Sequence, residues 1–346
     1  MKLFVNGRFL TQRISGVQQF AHEICKELMH FSEITILVPA NSPLIDHDFN
    51  SVILPIGRFK GHIWEQIDLA LFMKKNKDAI LLNLCNTAPL ALSKQMITLH
   101  DLAFAMNPKW FHPIFSLAYN FMVPKLVKKC WHIYTVSETV KLELEQHYAI
   151  YPEKICVLGN KVSNDLLLAN EKEVELNGLH NGRYFLMVGT RNLRKNFAFV
   201  EDLFLNHTTD QTLVIVGGAH SSFETTTRQK APNIIYLDYV SLGELKWLYK
   251  NAVALINPSL YEGFGIPNIE AMAFGTPVFC SNISVFKEIC QEAAFYFALN
   301  DLNSLKELVL QSKKKLIGLN QKQMAGKELF YHYQNMNRAF LIFSKF

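Results

Sequence analysis

None of the six cysteines, at positions 25, 85, 130, 156, 280 and 290, forms a CxxC pair. The spacing of a thiolate metal site is therefore missing, and reduced thiols in a cytosolic protein are expected. Long apolar runs are missing too. The most apolar stretch near mid-chain is broken by His112, Pro113 and Pro124 and is too short to span a bilayer. The first residues, MKLFVNGRFL, lack the apolar core of a signal peptide. Charge is sparse: 19% of the 346 residues are charged, with a net +5. That mild excess suits an anionic ligand or a membrane surface. With no basic block, zinc-knuckle spacing or aromatic RNA-binding motif, nucleic acid is not expected as a partner. No internal repeat or low-complexity tract occurs, and no DxD-type cluster or histidine pair at metal-ligand spacing marks the N-terminal half. No essential metal and no cofactor are expected.

What remains is a globular composition, 49% apolar. A chain of this length favours two domains, since single cores seldom grow past roughly 250–300 residues. Short apolar runs without alternation recur at Lys2–Val5, Ile34–Val38, Ile80–Leu84, Met96–Leu99 and His132–Val136. A second set follows at Tyr184–Val188, Thr212–Val216, Ile234–Leu237, Ala252–Ile256 and Pro277–Cys280. Such runs fit strands buried on both faces, and the helical patterns between them imply parallel α/β sheets. Ser15-x-x-Gln18 and Ser241-x-x-Glu244 read as capping boxes, and Ser137 as the cap of a helix running to Tyr148. The polar stretch Asn160–Arg183 separates the two sets of strands. The expected layout is an N-terminal domain over 1–160, a linker over 161–182 and a C-terminal domain over 183–328. Two Rossmann-like domains would face each other across a cleft, with ligands beyond the carboxyl ends of the strands.

NPSLYEGFGIPNIEAMAFGTPV, from Asn257 to Val278, follows one such strand and places Glu262 and Glu270 eight residues apart. Pro267 suits the first position of a helix and Gly275 its C-terminal stop. The backbone of Gly263, Phe264, Gly265 and Ile266 thus leads into a helix N-terminus, where exposed N–H groups and the helix dipole favour a phosphate. Carboxylates accept hydrogen bonds from sugar hydroxyls. One carboxylate per sugar ring, with a diphosphate between them, matches a nucleotide sugar. A dinucleotide fingerprint fits less well, because GFGIPN lacks the third glycine.

This stretch closely resembles the E-x7-E signature of retaining GT-B glycosyltransferases, specifically glycosyltransferase family 4. YFLMVGTRNLRKNFAFV is similar to the first strand and turn of that family's nucleotide-sugar domain. SGVQQFAHEI, IWEQ, TLHDLAF and YTVSETV are similar to a bacterial subgroup with mannosyl- and other hexosyltransferases of surface polysaccharide synthesis. The resemblance implies a GT-B fold and transfer of a hexose, with mannose favoured, from a GDP- or UDP-linked donor to a glycan or lipid-linked acceptor.

It also implies roles. Glu262 would hold hexose hydroxyls and Glu270 the ribose, with Gly263 to Pro267 at the hexose and phosphates. Lys195 would stabilise the departing diphosphate. The family arginine usually follows a glycine directly, whereas Thr190 follows Gly189 here; Arg191, or alternatively Arg194, would supply the second cation. His100 would lie near the hexose, Gly16 would admit the diphosphate, and Tyr239 joins the donor-binding set. Retention would proceed by front-side attack, since no acid and nucleophile pair of glycosidase type can be assigned. A sugar-nucleotide epimerase or hydrolase of the same fold would need an acid and base around the sugar that the sequence does not reveal. A non-catalytic nucleotide-sugar-binding subunit that keeps the fold is a further alternative, and the intact Glu262, Glu270 and Lys195 argue against it.

FHPIFSLAYNFMVPKLVKKCW, from Phe111 to Trp131, sets aromatic and apolar residues before Lys125, Lys128 and Lys129. A helix of that mix can lie on an anionic membrane, or be a buried helix with a solvated basic end. The reading favoured by the resemblance is a cytoplasmic protein, peripheral at the inner face of the cytoplasmic membrane. The C-terminal stretch is helix-compatible, and a final helix over about 329–346 would cross back onto the N-terminal domain.

Overall fold

The alternation of strand and helix patterns produces two parallel sheets. The computed structural model describes residues 2–45, 48–174, 184–206, 211–218, 231–312 and 318–345. Of the expected linker 161–182, residues 175–182 lie outside the described residues. The chain divides into two units. One comprises Met1–Ala105, Leu117–Asn160 and Met336–Phe346; the other comprises Met106–Ser116 and Lys161–Asn335.

The first unit carries a seven-stranded sheet. Its strands are β1 (Lys2–Asn6), β2 (Ile34–Pro39), β3 (Ile53–Ile56), β4 (Ala79–Asn83), β5 (Gln95–Thr98), β6 (His132–Thr135) and β7 (Ile155–Val157), in the order β3-β2-β1-β4-β5-β6-β7. The second unit carries six: β8 (Tyr184–Val188), β9 (Thr212–Val216), β10 (Ile234–Leu237), β11 (Ala254–Asn257), β12 (Val278–Ser281) and β13 (Ala294–Phe297), in the order β10-β9-β8-β11-β12-β13. Every pairing is parallel; Val5 sits opposite Ile36 and Leu82, and Leu255 opposite Val278 and Leu186. The order reverses between β1 and β4 in the first sheet and between β8 and β11 in the second. Doubly wound sheets bind ligands at such reversals.

Central strands are mostly apolar because both faces are covered: β4, β5, β11 and β12 are buried at every residue, including the polar Asn83, Gln95, Thr98, Asn257 and Ser281. In the second unit Phe185, Met187, Ile215, Ile256 and Phe279 meet Phe197, Val200 and Phe204 of the helix Phe197–Asn206 in one core. Each such side chain contributes about 1.5–3 kcal/mol by leaving water.

Ser137 accepts a hydrogen bond from the Val140 N–H, and Ser241 with Glu244 forms a complete capping box. Ser15 does not cap. Its hydroxyl donates to the Gln18 side-chain oxygen and accepts nothing from the helix backbone. The C-terminal stretch holds two helices, Leu319–Gln334 in the second unit and Arg338–Phe343 in the first.

The last helix is anchored within the first unit by Arg338. Its guanidinium is fully buried, pairs with Glu27 of the helix Gly16–Phe31, and lies 5.4 Å from the Phe20 ring centroid. Removing one partner of a buried pair costs more than the pair is worth. Arg338→Ala is expected to lower stability by about 3 kcal/mol, read as a shifted urea midpoint; an unchanged midpoint would show that the helix is held by its apolar contacts alone.

Candidate functional site

Two loops leave the reversal point of the second sheet side by side, one after β8 and one after β11. The first reads Gly189-Thr190-Arg191-Asn192 and ends in a 3₁₀ turn, Leu193–Lys195. Asn192 caps that turn by accepting from the Lys195 N–H at 3.1 Å. Gly189 has φ +147°, and a Cβ on neighbouring Gly217 would sit 2.1 Å from the Gly189 carbonyl oxygen. The two strand ends approach that closely only because Gly217 has no side chain. The second loop, Pro258 to Gly265, is tied to the first by the Leu260 N–H donating to the Arg194 carbonyl at 2.9 Å.

That tie brings three charges together. Lys195 Nζ and Arg194 Nη1 both donate to Glu262, Arg194 at 2.8 Å and Lys195 to the other carboxylate oxygen. Arg194 also donates to the Tyr261 carbonyl at 3.1 Å. Ser259 Oγ stands 2.9 Å from Glu262 Oε1, and its own carbonyl is held by Ser281 Oγ. Glu262 and Lys195 are 7% and 8% exposed, so this is an interior cluster. Burial opposes the Glu262 charge, but Arg194, then Lys195, then hydrogen bonds from Lys195 and Ser259 outweigh it and hold the carboxyl at about 2. Two cations share one carboxylate, which leaves one positive charge in excess.

Glu270 stands in a different environment. It lies one turn into the helix Ile266–Ala273 and accepts a hydrogen bond from the buried Tyr249 hydroxyl at 2.6 Å. Burial raises its carboxyl above the ordinary range, against the Tyr249 hydrogen bond and the charge of Lys195. The helix starts at Ile266, one residue before the expected Pro267, which lies in its first turn, with Gly265 at its N-cap and Gly275 at positive φ behind it. Gly265 has φ +92°, and a Cβ there would lie 2.5 Å from the Phe286 ring. Phe264 is 4% exposed and packs edge-on against Tyr333, centroids 5.1 Å apart, so its side chain anchors the loop.

The remaining sequence-selected residues are placed as follows. Arg191 is buried, its N–H donates to the Gly218 carbonyl, and its guanidinium lies 5.9 Å from the Tyr236 ring centroid. Its Nε has no hydrogen-bond partner among the described residues. The structure thus brings Arg194, not Arg191, onto the carboxylate shared with Lys195. Tyr239 is 89% exposed. His100 and Gly16 belong to the first unit. His100 donates from Nε2 to the Leu84 carbonyl at 2.8 Å and lies edge-on to Phe20. Burial lowers its pKa, the Leu84 carbonyl and Asp101 opposing, so the ring is neutral near pH 7 with its lone pair on Nδ1. Gly16 opens the helix Gly16–Phe31, and a Cβ there would meet nothing within 4 Å.

Sequence reasoning missed Ser259, Tyr249 and the pair Asn257–Asn268, whose side chains bond at 2.8 Å beneath the loop. Ser259 and Asn257 had a signal: polar residues placed directly where an apolar strand ends. Tyr249 had none, because a tyrosine in an apolar helix face reads as core.

A depressed native carboxyl contributes stability that is present above the unfolded value, 4.5, and is lost as pH falls toward about 2. Wild type should therefore lose roughly 3 kcal/mol relative to Glu262→Gln between pH 7 and pH 2, measured as the difference in urea unfolding free energy. Parallel pH profiles for the two proteins would mean that the cations do not hold this carboxylate.

Residues 170–320 match the family described as Glycosyl transferases group 1, and residues 14–165 match Glycosyltransferase Family 4. The O-antigen chain mannosyltransferase RfbU of Salmonella typhimurium is 34% identical over 249 residues, covering 70% of this chain and 67% of that protein. Among solved structures, sucrose-phosphate synthase from Thermosynechococcus elongatus superposes with a TM-score of 0.73 at 14% identity, covering 99% of this chain and 97% of that one. Anabaena HepE in complex with UDP-glucose gives 0.67 at 14% identity, again over 99% and 97%. At such identities these likenesses show the GT-B fold alone. Family matches on both halves and the RfbU alignment go further: the chain is a glycosyltransferase and belongs to glycosyltransferase family 4.

Proposed function

We propose that this enzyme transfers a hexose, with mannose favoured, from a GDP- or UDP-linked donor to a glycan or lipid-linked acceptor of bacterial surface polysaccharide synthesis, with retention at the anomeric carbon. The observation that carries this reading is the cluster of Lys195, Arg194 and Glu262 at the sheet reversal, with Glu270 eight residues on. RfbU, a relative at 34% identity, is an O-antigen chain mannosyltransferase, and HepE binds UDP-glucose in the same fold.

In this reading the excess positive charge receives the donor diphosphate. Lys195 and Arg194 hold the charge that develops on the leaving group, fixed in place before the reaction starts. Arg194 is the second cation because it already shares a carboxylate with Lys195, whereas Arg191 lies toward Tyr236. Glu262 exchanges its cations for hexose hydroxyls, and Glu270, oriented by Tyr249, receives the ribose. The bond from the anomeric carbon to the diphosphate breaks, the acceptor oxygen bonds to that carbon on the same face, and the acceptor proton passes to the departing diphosphate.

The acceptor side includes membrane contact. On the helix Pro113–Lys129, Leu117 is 75% and Phe121 57% exposed, and Lys125 and Lys128 continue the same stripe. Lys125 Nζ lies 3.2 Å from the Phe121 ring centroid. Among the described residues no helix is long and apolar enough to cross a membrane, so the contact is with the surface. Charged side chains there contribute about 1 kcal/mol each on an anionic surface.

GDP- or UDP-sugars, out of a panel with ADP- and dTDP-sugars, should raise Tm, since saturating ligand at about 100 times its Kd adds roughly 2.7 kcal/mol. Glu270→Ala should abolish the shift, and a flat panel would sink the donor site. Lys195→Ala and Arg194→Ala should each lower kcat by about 10²–10³-fold, with Arg191→Ala milder; the reverse order would move the second cation to Arg191. An inverted anomer in the product, read by NMR, would refute retention. Sedimentation with phosphatidylglycerol vesicles should fall with added salt and on Lys125→Glu/Lys128→Glu; salt-independent binding, or none, would remove the membrane contact.

A further inference from the structure

A row of buried polar side chains runs beneath the loop that carries Glu262. Asn257 ends β11, and Asn268 lies in the first turn of the helix Ile266–Ala273. Asn257 Nδ2 donates to Asn268 Oδ1 at 2.8 Å, and Asn268 Nδ2 donates to Cys290 Sγ at 3.4 Å. Cys290 closes the helix Ser284–Cys290. At the other end Ser259 Oγ stands 2.8 Å from Asn257 Oδ1 and 2.9 Å from Glu262 Oε1. Cys290, Asn268, Asn257, Ser259 and Glu262 thus form one continuous relay. Asn268, Ser259 and Cys290 are 0% exposed and Asn257 5%.

Two features separate this relay from ordinary core packing. First, burying amides costs free energy that apolar side chains of similar size do not, and here the buried amides lead to the ionised carboxylate of the candidate site. Asn268 also serves the glycine turn directly. Its N–H donates to the Gly265 carbonyl at 3.0 Å, and a Cβ on Gly265 would lie 3.5 Å from its Nδ2. Second, the proton count selects a direction. Glu262, held at about 2, is an acceptor only. Ser259 has one hydroxyl proton, and with the amides as they stand it faces two acceptors, Glu262 Oε1 and Asn257 Oδ1. One of those contacts then lacks a hydrogen.

An amide plane rotated by half a turn exchanges its donor and its acceptor while the heavy atoms keep their places. With both amides turned, Ser259 gives its proton to Glu262 and accepts from Asn257. Asn257 accepts from Asn268, and Asn268 accepts from the Cys290 S–H. Every contact then has one donor. Behind Cys290 stands Cys280, whose thiol is raised well above its ordinary range by burial and by its hydrogen bond to Cys290, so it stays protonated. The relay thus begins at thiol donors and ends at a fixed negative charge. In a dry interior, hydrogen bonds linked in one direction polarise and strengthen one another. The charge on Glu262 therefore sets the direction of the whole relay, and the relay in return holds the carboxylate.

We propose that Asn257 and Asn268 are positioning residues: their amides run toward Glu262 and, through Ser259, fix the carboxylate that meets the donor hexose. The hexose rests on the transferase reading above, while the direction of the relay stands on the second unit alone. The infrared S–H band of Cys290, assigned on the whole chain by its loss in Cys290→Ala, reads that direction. A thiol that donates to an amide oxygen absorbs at lower frequency than one that only accepts. The Cys290 band should lie low in wild type and rise in Ser259→Ala, which cuts the relay at its far end. A band at the free-thiol frequency in wild type, or one that Ser259→Ala leaves in place, overturns the proposal. Calorimetric titration tests the site, with GDP-mannose against GDP and UDP-glucose against UDP. Asn257→Leu/Asn268→Leu replaces both partners, so neither amide is left unpaired. It should weaken the nucleotide sugar that binds by about 3- to 10-fold, the worth of one neutral hydrogen bond, and leave the matching diphosphate within about twofold. Added to Ser259→Ala it should cost nothing further, because both act through the same carboxylate. Equal losses for sugar and diphosphate, or additive losses, would make the pair merely structural and overturn the proposal. A low Cys290 band with no binding of either nucleotide sugar would instead overturn the donor reading and leave the relay standing.

Discussion

The second unit depends on one carboxylate holding two cations. Without Glu262, Lys195 and Arg194 would be two like charges in an interior of low dielectric, where repulsion is strong. With it they are pinned at the end of β8, and loops from two adjacent strands are locked to each other. The Leu260 to Arg194 backbone bond and the Ser259 and Asn192 side chains serve this one arrangement. Those three side chains carry one net positive charge, which on the proposed donor reading faces the diphosphate.

Glu262 and Glu270 show how one residue type takes two characters from its surroundings. Both are drawn from the same short segment and both feel Lys195. Glu262 has two cations in contact and is held ionised far into acid. Glu270 has a tyrosine hydroxyl in contact and a cation only at a distance, and burial prevails, raising its pKa. Contact with formal charge outweighs desolvation; one neutral hydrogen bond does not. Tyr249 therefore matters more than its core position implies, because it supplies the hydrogen bond that favours the ionised form of Glu270.

Legibility of the fold followed burial. Each of the ten strands expected from apolar runs exists, within one or two residues at its ends. The three that were missed, β3, β7 and β13, all lie at sheet edges. Their burial patterns explain this: β3 has no buried residue, β7 one of three and β13 two of four. An edge strand has a covered partner on one side only and need not be continuously apolar. β3 even accommodates Pro55. The glycine loop was legible for the opposite reason, since positive φ at Gly265 and the crowding by Phe286 leave glycine as the residue that fits. The choice between Arg191 and Arg194 was not legible, because both follow the same strand and only the turn capped by Asn192 decides which one meets Glu262. Ser15 shows the same limit in a helix cap, where a neighbouring glutamine side chain captured the hydroxyl.

The two sheets repeat one topology and differ in how charge is balanced at the reversal. In the second, two cations face one carboxylate; in the first, Arg8 and Glu65 cancel. A sheet of parallel strands supplies the same geometric opportunity twice, namely loops that diverge at the carboxyl ends. What the opportunity becomes is set by a few side chains. An uncompensated cation in a dry site selects anions, because a neutral ligand leaves it undercoordinated. In the first sheet Glu65 is fully buried against Arg8.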